Sequence, residues 1–305
     1  MKLLSILIIA LASSYSFAAH HEGHSMKHSE ALTQAAAGMN RVNLGYNYSS
    51  SNIQLKDDPL NISEQQTINT NRVLLNYERG FNDMFAAGLG VDYVSVSSGN
   101  GFDASGVEHV SLFFKGNYNM GSGGLYYGVN VDVGLGDNET DTDGSNNASL
   151  GGTNITPYLA WSMNHGSFAW GLRADYTVRG KQKFNNETLA PANQESESED
   201  GNVLKISAFY EKNLSDKSIF GVGINHIITD STVDAETDLE TVGDFNETSI
   251  DLYGVVSCGA CDKGGMYFVP KVSYTLMGDG ESEDGSEYVT SGGNYAIEFL
   301  VRKDF

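Results

Sequence analysis

Four histidines lie within nine residues near the N-terminus, at His20, His21, His24 and His28. If the chain is cut after Ala18, His21 becomes the third residue of the mature protein. A free amine, two amide nitrogens and a third-position imidazole form a square-planar set that suits Cu(II). Short His-rich tracts commonly bind metal, but a polar tail with no metal function fits the same residues. Both interpretations stay open, and the sequence indicates no other cofactor.

The chain has two cysteines, Cys258 and Cys261, separated by Gly259 and Ala260. A redox pair of this spacing sits at the start of a helix in thioredoxin-like proteins, whereas the flanks here alternate like strands. We therefore expect a disulfide that tightens a turn in an oxidising compartment. A two-residue metal clip is the remaining alternative.

The N-terminus carries an export signal in residues 1–18. Lys2 precedes an apolar run, Leu3 to Leu11, that is too short to span a bilayer as a helix, and small residues lead up to Ala18. Residues 19–37 are expected to be a His-rich segment, either disordered or a short helix that begins near Ser29. The mature chain is therefore predicted to be exported.

The remaining chain, residues 38–305, reads as an all-β domain. Gly, Tyr and Phe are abundant (35, 16 and 14 residues) and Pro is rare at 4. Apolar and polar residues alternate with the period of two that is typical of strands. The alternating segments number twelve: 40–52, 67–79, 84–97, 106–118, 125–136, 152–163, 168–180, 201–213, 218–229, 248–257, 265–277 and 289–305.

Short and long connections alternate strictly between these segments. The long ones are expected to be loops: 53–66, 98–105, 137–151, 181–200, 230–247 and 278–288. Together they carry a formal charge of −22, against −21 for the whole chain, so the acidity lies on one side. Such a surface disfavours nucleic acid as a partner. Residues 139–144 are similar to the front half of an EF-hand loop but lack its acid at position twelve, which makes calcium a minor alternative.

The last segment carries the clearest resemblance. Tyr295, Ile297, Phe299 and Val301 form one apolar row, which the terminal Phe305 closes. This pattern resembles the final strand of Gram-negative outer-membrane β-barrels, in which assembly machinery reads the C-terminal Phe. The resemblance implies a transmembrane antiparallel up-and-down β-barrel in the cell outer membrane, and the twelve alternating segments predict 12 strands. It also implies contact with outer-membrane lipid and lipopolysaccharide, and Phe305 as the assembly signal.

The polar face of each strand would then point into the lumen. The expected pore-lining residues are Arg41, Arg72, Glu78, Asp92, Lys115, Asp132, Arg173, Asp175, Arg179, Lys205, Glu211, Asp251, Lys271, Glu298 and Arg302. Interlocked ion pairs would plug such a lumen, and segregated rows of opposite charge would border a wet constriction. The alternation alone allows both. Glycines on the same face, such as Gly88, Gly128, Gly171 and Gly221, are expected to leave space inside.

One residue pair raises the question of catalysis. His109 and Ser111 are similar to the His-x-Ser pair of the outer-membrane phospholipase, which is also a twelve-stranded barrel. That enzyme needs the pair on the lipid face, which Val110, Leu112 and Phe114 occupy here. No orienting Asn is evident either, so we do not expect an enzyme.

The sequence thus predicts a narrow porin for passive passage of small hydrophilic solutes, with a preference for cations. The alternative is a closed structural or surface-interaction barrel that displays acidic loops. The third hypothesis is copper handling through the His-rich N-terminus.

Overall fold

A computed structural model describes residue 32 and residues 34–58, 61–98, 103–135, 138–140, 152–186, 194–199, 201–215, 217–234, 240–242, 244–258, 265–281, 288–291 and 293–305. Within these ranges, no helix has the length and apolarity required to cross a membrane. The described residues form eighteen strands: β1 (Asn40–Asp58), β2 (Asn61–Gly80), β3 (Phe85–Ser98), β4 (Asp103–Asn119), β5 (Gly123–Gly134), β6 (Asn138–Thr140), β7 (Thr153–Asn164), β8 (Phe168–Thr177), β9 (Gln182–Asn186), β10 (Gln194–Glu199), β11 (Val203–Ser215), β12 (Ser218–Thr229), β13 (Thr232–Asp234), β14 (Glu240–Val242), β15 (Asp244–Cys258), β16 (Met266–Glu281), β17 (Tyr288–Ser291) and β18 (Tyr295–Asp304).

Twelve of these strands close into an antiparallel barrel. They pair in the order β1, β2, β3, β4, β5, β7, β8, β11, β12, β15, β16 and β18, and β18 returns to β1. The closing register runs from Arg41 opposite Asp304 to Ser50 opposite Tyr295. β17 continues the line of β18, because it pairs with the same two neighbours, β1 and β16. The predicted twelve-stranded up-and-down barrel is confirmed.

The outer face of the barrel is a continuous apolar belt. All twelve strands expose a large aliphatic side chain there: Leu44, Leu75, Leu89, Leu112, Val133, Leu159, Leu172, Ile206, Ile224, Leu252, Val272 and Ile297. An exposed apolar surface of this extent marks contact with another apolar phase. Because every strand edge is paired in a closed barrel, the backbone needs no hydrogen bonds from its surroundings, and the belt can contact the lipid of a bilayer.

The short turns and both ends of the barrel chain lie at the same end, which we call the turn end. Asn side chains build three of the turns by accepting backbone hydrogen bonds. Asn119 and Asn164 accept the N–H groups of Gly121 and Gly166, at 2.9 and 2.8 Å. Both glycines have φ of +80°, a left-handed conformation that glycine adopts without strain. Short turns at one end are typical of the periplasmic side of such barrels.

The connections at the opposite end contain more strand than the sequence predicts. The segment 53–66 was expected to be a loop, but its described residues, 53–58 and 61–66, extend the β1–β2 hairpin, with Ile53 opposite Gln66 and Asp58 opposite Asn61. Three further connections contribute to a second sheet of order β14-β13-β10-β9-β6, in which β6 and β9 are parallel. The prediction of loops was therefore wrong for the described strands of these segments. Their strands pair with one another, which the hydrophobic period of a single segment cannot show.

Candidate functional site: the charged interior of the barrel

The fifteen side chains predicted to line a pore are all at least partly shielded from solvent. Eleven are buried: Arg41, Arg72, Glu78, Lys115, Asp132, Asp175, Glu211, Asp251, Lys271, Glu298 and Arg302. The other four, Asp92, Arg173, Arg179 and Lys205, are partly buried. They lie on the side of the sheet opposite to the apolar belt, as the alternation predicts. Whether they line a conducting path stays a prediction.

The lowest layer, at the turn end, is a set of buried ion pairs. Arg41 Nε lies 2.7 Å from Asp304 Oδ1, and Lys115 Nζ lies 2.9 Å from Glu78 Oε2. Arg41 and Glu78 are fully shielded, with a relative exposure of 0%. Charges this deep need close partners, since an isolated buried charge is costly.

The segment that precedes β1 enters the barrel and crosses it. Near the β1–β2 wall, the N–H of Ala35 donates a hydrogen bond to Glu78 Oε1 at 2.5 Å. Leu32 lies against the other wall, in a buried cluster with residues of β5, β7 and β11, namely Tyr126, Ala160 and Phe209. Residues 34–36 are not helical, so the short helix considered for this region is absent over them. The segment therefore occupies the turn end of the lumen.

A second layer of charge lies higher, on β8, β15 and β16. Arg173 forms an ion pair with Asp175 at 2.6 Å, and its guanidinium lies 4.3 Å from the ring centroid of Tyr158. Lys271 Nζ lies 3.2 Å from Asp251 Oδ2. Both ion pairs join neighbouring groups of opposite charge. The interior thus shows interlocked pairs and not two segregated rows, which is the arrangement expected of a plugged lumen.

The opposite wall carries a cluster on β2 to β5 that the sequence did not predict as a unit. The register of β3 against β4 shifts directly above the pair Asp92 and His109. Because of this bulge, Glu108 and His109 both face the interior although they are consecutive. Arg72 lies 2.8 Å from Glu108, and the His109 ring lies 3.3 Å from Asp92 and 3.5 Å from Asp132.

Three acids of the interior were missing from the predicted set. Glu108 was missed because a bulge leaves no trace in the alternation of a single strand. Glu247 was assigned to an outer connection, but it lies buried in β15 and accepts a hydrogen bond from Thr275 at 3.2 Å. Asp304 already shared the inner row of β18 and could have been included. With these three, ten acids face eight cations among the described interior side chains.

Four of the interior glycines, Gly88, Gly128, Gly171 and Gly221, do not leave open space, contrary to the expectation. A side chain at Gly88 would meet the ring of Phe113, its direct cross-strand partner. The same relation joins Gly128 to Tyr158, Gly171 to Phe209 and Gly221 to Tyr253. Each glycine instead makes room for an aromatic ring of the adjacent strand. Rings laid over strand glycines pin the register of curved sheets, and here they narrow the lumen.

Several interior polar atoms have no hydrogen-bond partner within the described part of the chain. They are Asn43 Oδ1, Asn47 Nδ2, Asn130 Oδ1, Asp251 Oδ1 and Glu298 Oε2. Glu298 is 4% exposed. A buried polar atom with no partner costs roughly 1–3 kcal/mol, and native proteins usually satisfy such atoms with ordered water. These atoms therefore point to a hydrated interior.

The other predicted sites lie at the margins of the described chain. His20, His21, His24 and His28 fall outside it, as does Cys261, so the copper site and the disulfide stay predictions; Cys258 ends β15. Residues 141–144 of the EF-hand-like run also lie outside it.

Phe305 is described: its backbone exchanges two hydrogen bonds with Asn40, at 2.8 and 2.9 Å, and its side chain is exposed. Its role as an assembly signal is not tested by this geometry.

The pair considered for catalysis is built into the interior. Ser111 Oγ donates to Asp132 Oδ1 at 2.6 Å, and His109 lies beside the same carboxylate. The hydroxyl is therefore directed at an acid, and the imidazole is surrounded by acids. This geometry differs from the lipid-facing pair of the phospholipase.

Comparison with known proteins identifies the fold. No family model matches the sequence, and no curated protein is significantly similar to it. The outer-membrane channel of the COG4313 group from Pseudomonas putida F1 superposes with a TM-score of 0.63 at 12% identity, over 94% of this chain and 98% of that one. The β-domain of the Bordetella autotransporter BrkA gives a TM-score of 0.51 at 11% identity, over 87% and 99%. The chain is therefore an outer-membrane β-barrel in fold, without assignment to a subfamily.

Proposed function

We propose that this protein is a narrow outer-membrane channel for small hydrophilic solutes, with a preference for cations. The observation that carries the proposal is the set of interior polar atoms without protein partners. Polar interior atoms that need water as a partner suit the passage of a hydrophilic solute better than that of an apolar one. The P. putida protein with the same fold is itself an outer-membrane channel, which supports the assignment.

Two charge distributions favour cations. The described interior carries ten acids against eight cations, so its formal charge is −2 with neutral His109. The connections at the outer end are also strongly acidic by sequence. Acidic groups around a narrow entrance raise the local concentration of cations. The interior charges are locally paired, so they do not create a strong electric field across the lumen. We therefore expect the preference for cations to depend on the net charge of the interior.

A closed structural barrel is the second candidate, and specific contacts favour it. The ion pairs at the turn end are fully buried, and Leu32 is packed across the lumen beside them. In the channel proposal, the segment that precedes β1 must move out of the lumen before solutes pass. In the closed-barrel proposal, the segment stays in the lumen permanently.

Planar-bilayer recording separates the two candidates. The mature protein and a variant without residues 19–37 are each reconstituted, and the reversal potential is measured across a tenfold KCl gradient. We expect the truncated variant to conduct. The sign of its reversal potential should be the one that selectivity for K⁺ over Cl⁻ produces. The preference should weaken at high salt, because the Debye length falls from about 10 Å at 0.1 M to about 3 Å at 1 M.

Matched variants test whether interior acids contribute. Glu298→Gln removes one buried interior carboxylate and should reduce the cation preference. Asp83→Asn removes one exposed carboxylate from a short turn and should leave the preference unchanged. If neither the mature nor the truncated protein conducts, the result supports the closed barrel. A preference for anions would contradict the charge argument.

A further inference from the structure

An imidazole inside the barrel is surrounded by carboxylates on both ring nitrogens. His109 Nε2 lies 3.3 Å from Asp92 Oδ2 and 3.5 Å from Asp132 Oδ1. Its Nδ1 lies 3.6 Å from Glu108 Oε2. One donor atom each from Asp92, Glu108 and His109 lies within 4.8 Å of the other two. The cluster thus offers a nitrogen donor and several oxygen donors at one place.

The barrel fold, and not sequence proximity alone, assembles this donor set. Asp92 comes from β3, Glu108 and His109 from β4, and Asp132 from β5. The bulge between β3 and β4 turns Glu108 inward beside His109. Without that extra residue, the alternation would direct Glu108 towards lipid. Bulges commonly re-aim side chains at functional sites.

The partners of the cluster hold its side chains in place. Arg72 Nη2 donates to Glu108 Oε1 at 2.9 Å. Asp132 accepts from Ser111 Oγ at 2.6 Å and from Asn130 Nδ2 at 2.8 Å. Such outer partners orient the ligands of protein metal sites. Asp92 is different, because His109 is its one polar contact within the described part of the chain.

The charge of the cluster gives an independent reason for a cation. Among the side chains that the structure describes at this place, three carboxylates stand against one guanidinium, so their formal charge is −2 when His109 is neutral. All four acidic and imidazole side chains are at most 15% exposed. Buried charge of one sign needs compensation. A divalent cation bound beside a neutral imidazole brings the formal charge to zero, which a single proton on His109 does not.

We propose that His109 Nε2, Asp92 and Asp132 form a binding site for a divalent transition-metal cation of the Zn²⁺ type inside the barrel, with Glu108 orienting the ring through Nδ1. Imidazole with carboxylate is a donor set that suits this class, whereas Ca²⁺ and Mg²⁺ prefer oxygen alone. Ligand atoms that share a tetrahedral metal at about 2.0–2.2 Å lie about 3.3–3.6 Å apart. The measured separations of His109 Nε2 from Asp92 and Asp132 fall in that interval.

Zinc titration of the folded barrel tests the site whether or not the barrel conducts. The parent is the full mature chain in which His20, His21, His24 and His28 are changed to Ala, so that the N-terminal tract does not contribute. Isothermal titration with ZnCl₂ in detergent, with excess Mg²⁺ to occupy acidic surfaces, should give one Zn²⁺ per barrel.

Variants in the same parent locate the ion. His109→Ala should abolish the stoichiometric site, and Asp92→Asn should weaken it at least tenfold. His226→Ala is the matched control, because His226 is exposed on the outer face and should leave binding unchanged. Heat-modifiable gel mobility establishes that each variant is folded.

Three results would overturn the proposal. They are no stoichiometric Zn²⁺ in the folded parent, binding that persists at parental affinity in His109→Ala, or binding that excess Mg²⁺ removes. If the parent binds no Zn²⁺ and nitrogen NMR shows His109 as an imidazolium, a proton lowers the formal charge of the cluster from −2 to −1 and the metal site is refuted.

Discussion

Shortening Leu32 should release the segment that crosses the turn end of the lumen. Leu32 is 7% exposed and packs against Tyr126, Ala160 and Phe209. Burial of a leucine side chain stabilises by about 1.5–3 kcal/mol, and most of this is lost in Leu32→Ala. A loss of about 2 kcal/mol shifts the ratio of seated to released segment by roughly 30-fold, since about 1.4 kcal/mol corresponds to tenfold.

Single-channel recording measures that shift directly. The ratio of open to closed time in Leu32→Ala should rise by roughly 30-fold over the mature protein at the same voltage and salt. The hydrogen bond from Ala35 to Glu78 remains in this variant, so the segment should still reseat and openings should be transient. Deletion of residues 19–37 should instead give sustained openings.

A leucine of the lipid-facing belt supplies the control. Leu44→Ala makes the same chemical change at a side chain that is 52% exposed on the outer face. It should leave the ratio of open to closed time unchanged. If Leu32→Ala and Leu44→Ala behave alike, or if Leu32→Ala matches the unaltered protein, the segment does not obstruct the path and the reasoning fails.

Three further predictions concern the ends of the chain and the cysteines. Deleting Phe305, or replacing it with Asp, should impair insertion and leave a protease-sensitive chain, and wild-type yield with heat-modifiable mobility would contradict this. Changing both Cys258 and Cys261 to Ser should leave conductance intact, because paired strands and not a four-residue loop hold the barrel together; loss of conductance with folding preserved would favour a redox role. A peptide of residues 19–28 should bind Cu(II) less tightly after N-terminal acetylation or His21→Ala, since each removes a proposed equatorial nitrogen, and equal affinities would exclude the square-planar site.

The barrel could be predicted from sequence because its signal is repeated in every strand. A period of two, sustained over twelve segments with alternating short and long connections, restricts the fold far more than any single strand. The belt from Leu44 to Ile297 and the inner charges follow from the same alternation. The outer strands could not be predicted in this way. β9 and β10 pair with β6 and β13 of other connections, so the partner that defines them lies far along the chain.

The interior could be predicted as a set of residues but not as an arrangement. Alternation tells which side of the sheet Arg72 or Asp92 occupies, but contacts depend on register, and a one-residue shift changes every partner. Glu108 was left out of the predicted interior set because of such a register shift. The glycines show the same limit. Gly88 by itself suggests free volume in the lumen, but its cross-strand partner Phe113 fills that volume. The free volume inside a small barrel therefore depends on which residues of neighbouring strands are paired.

The mixed pairing inside the barrel also decides what kind of selectivity it can have. Segregated rows of opposite charge would create a field across the lumen, and solutes would be sorted by their dipoles as well as their charge. Here Arg173 faces Asp175 and Lys271 faces Asp251 at 2.6 and 3.2 Å, so each charge is largely cancelled by its neighbour. In the proposed channel, a passing solute would meet the small net excess of acid, the aromatic rings that cover the interior glycines, and the cluster around His109. Discrimination by size and by net charge follows from this arrangement, and the proposed metal site at His109 would add a matched set of donors for a specific cation.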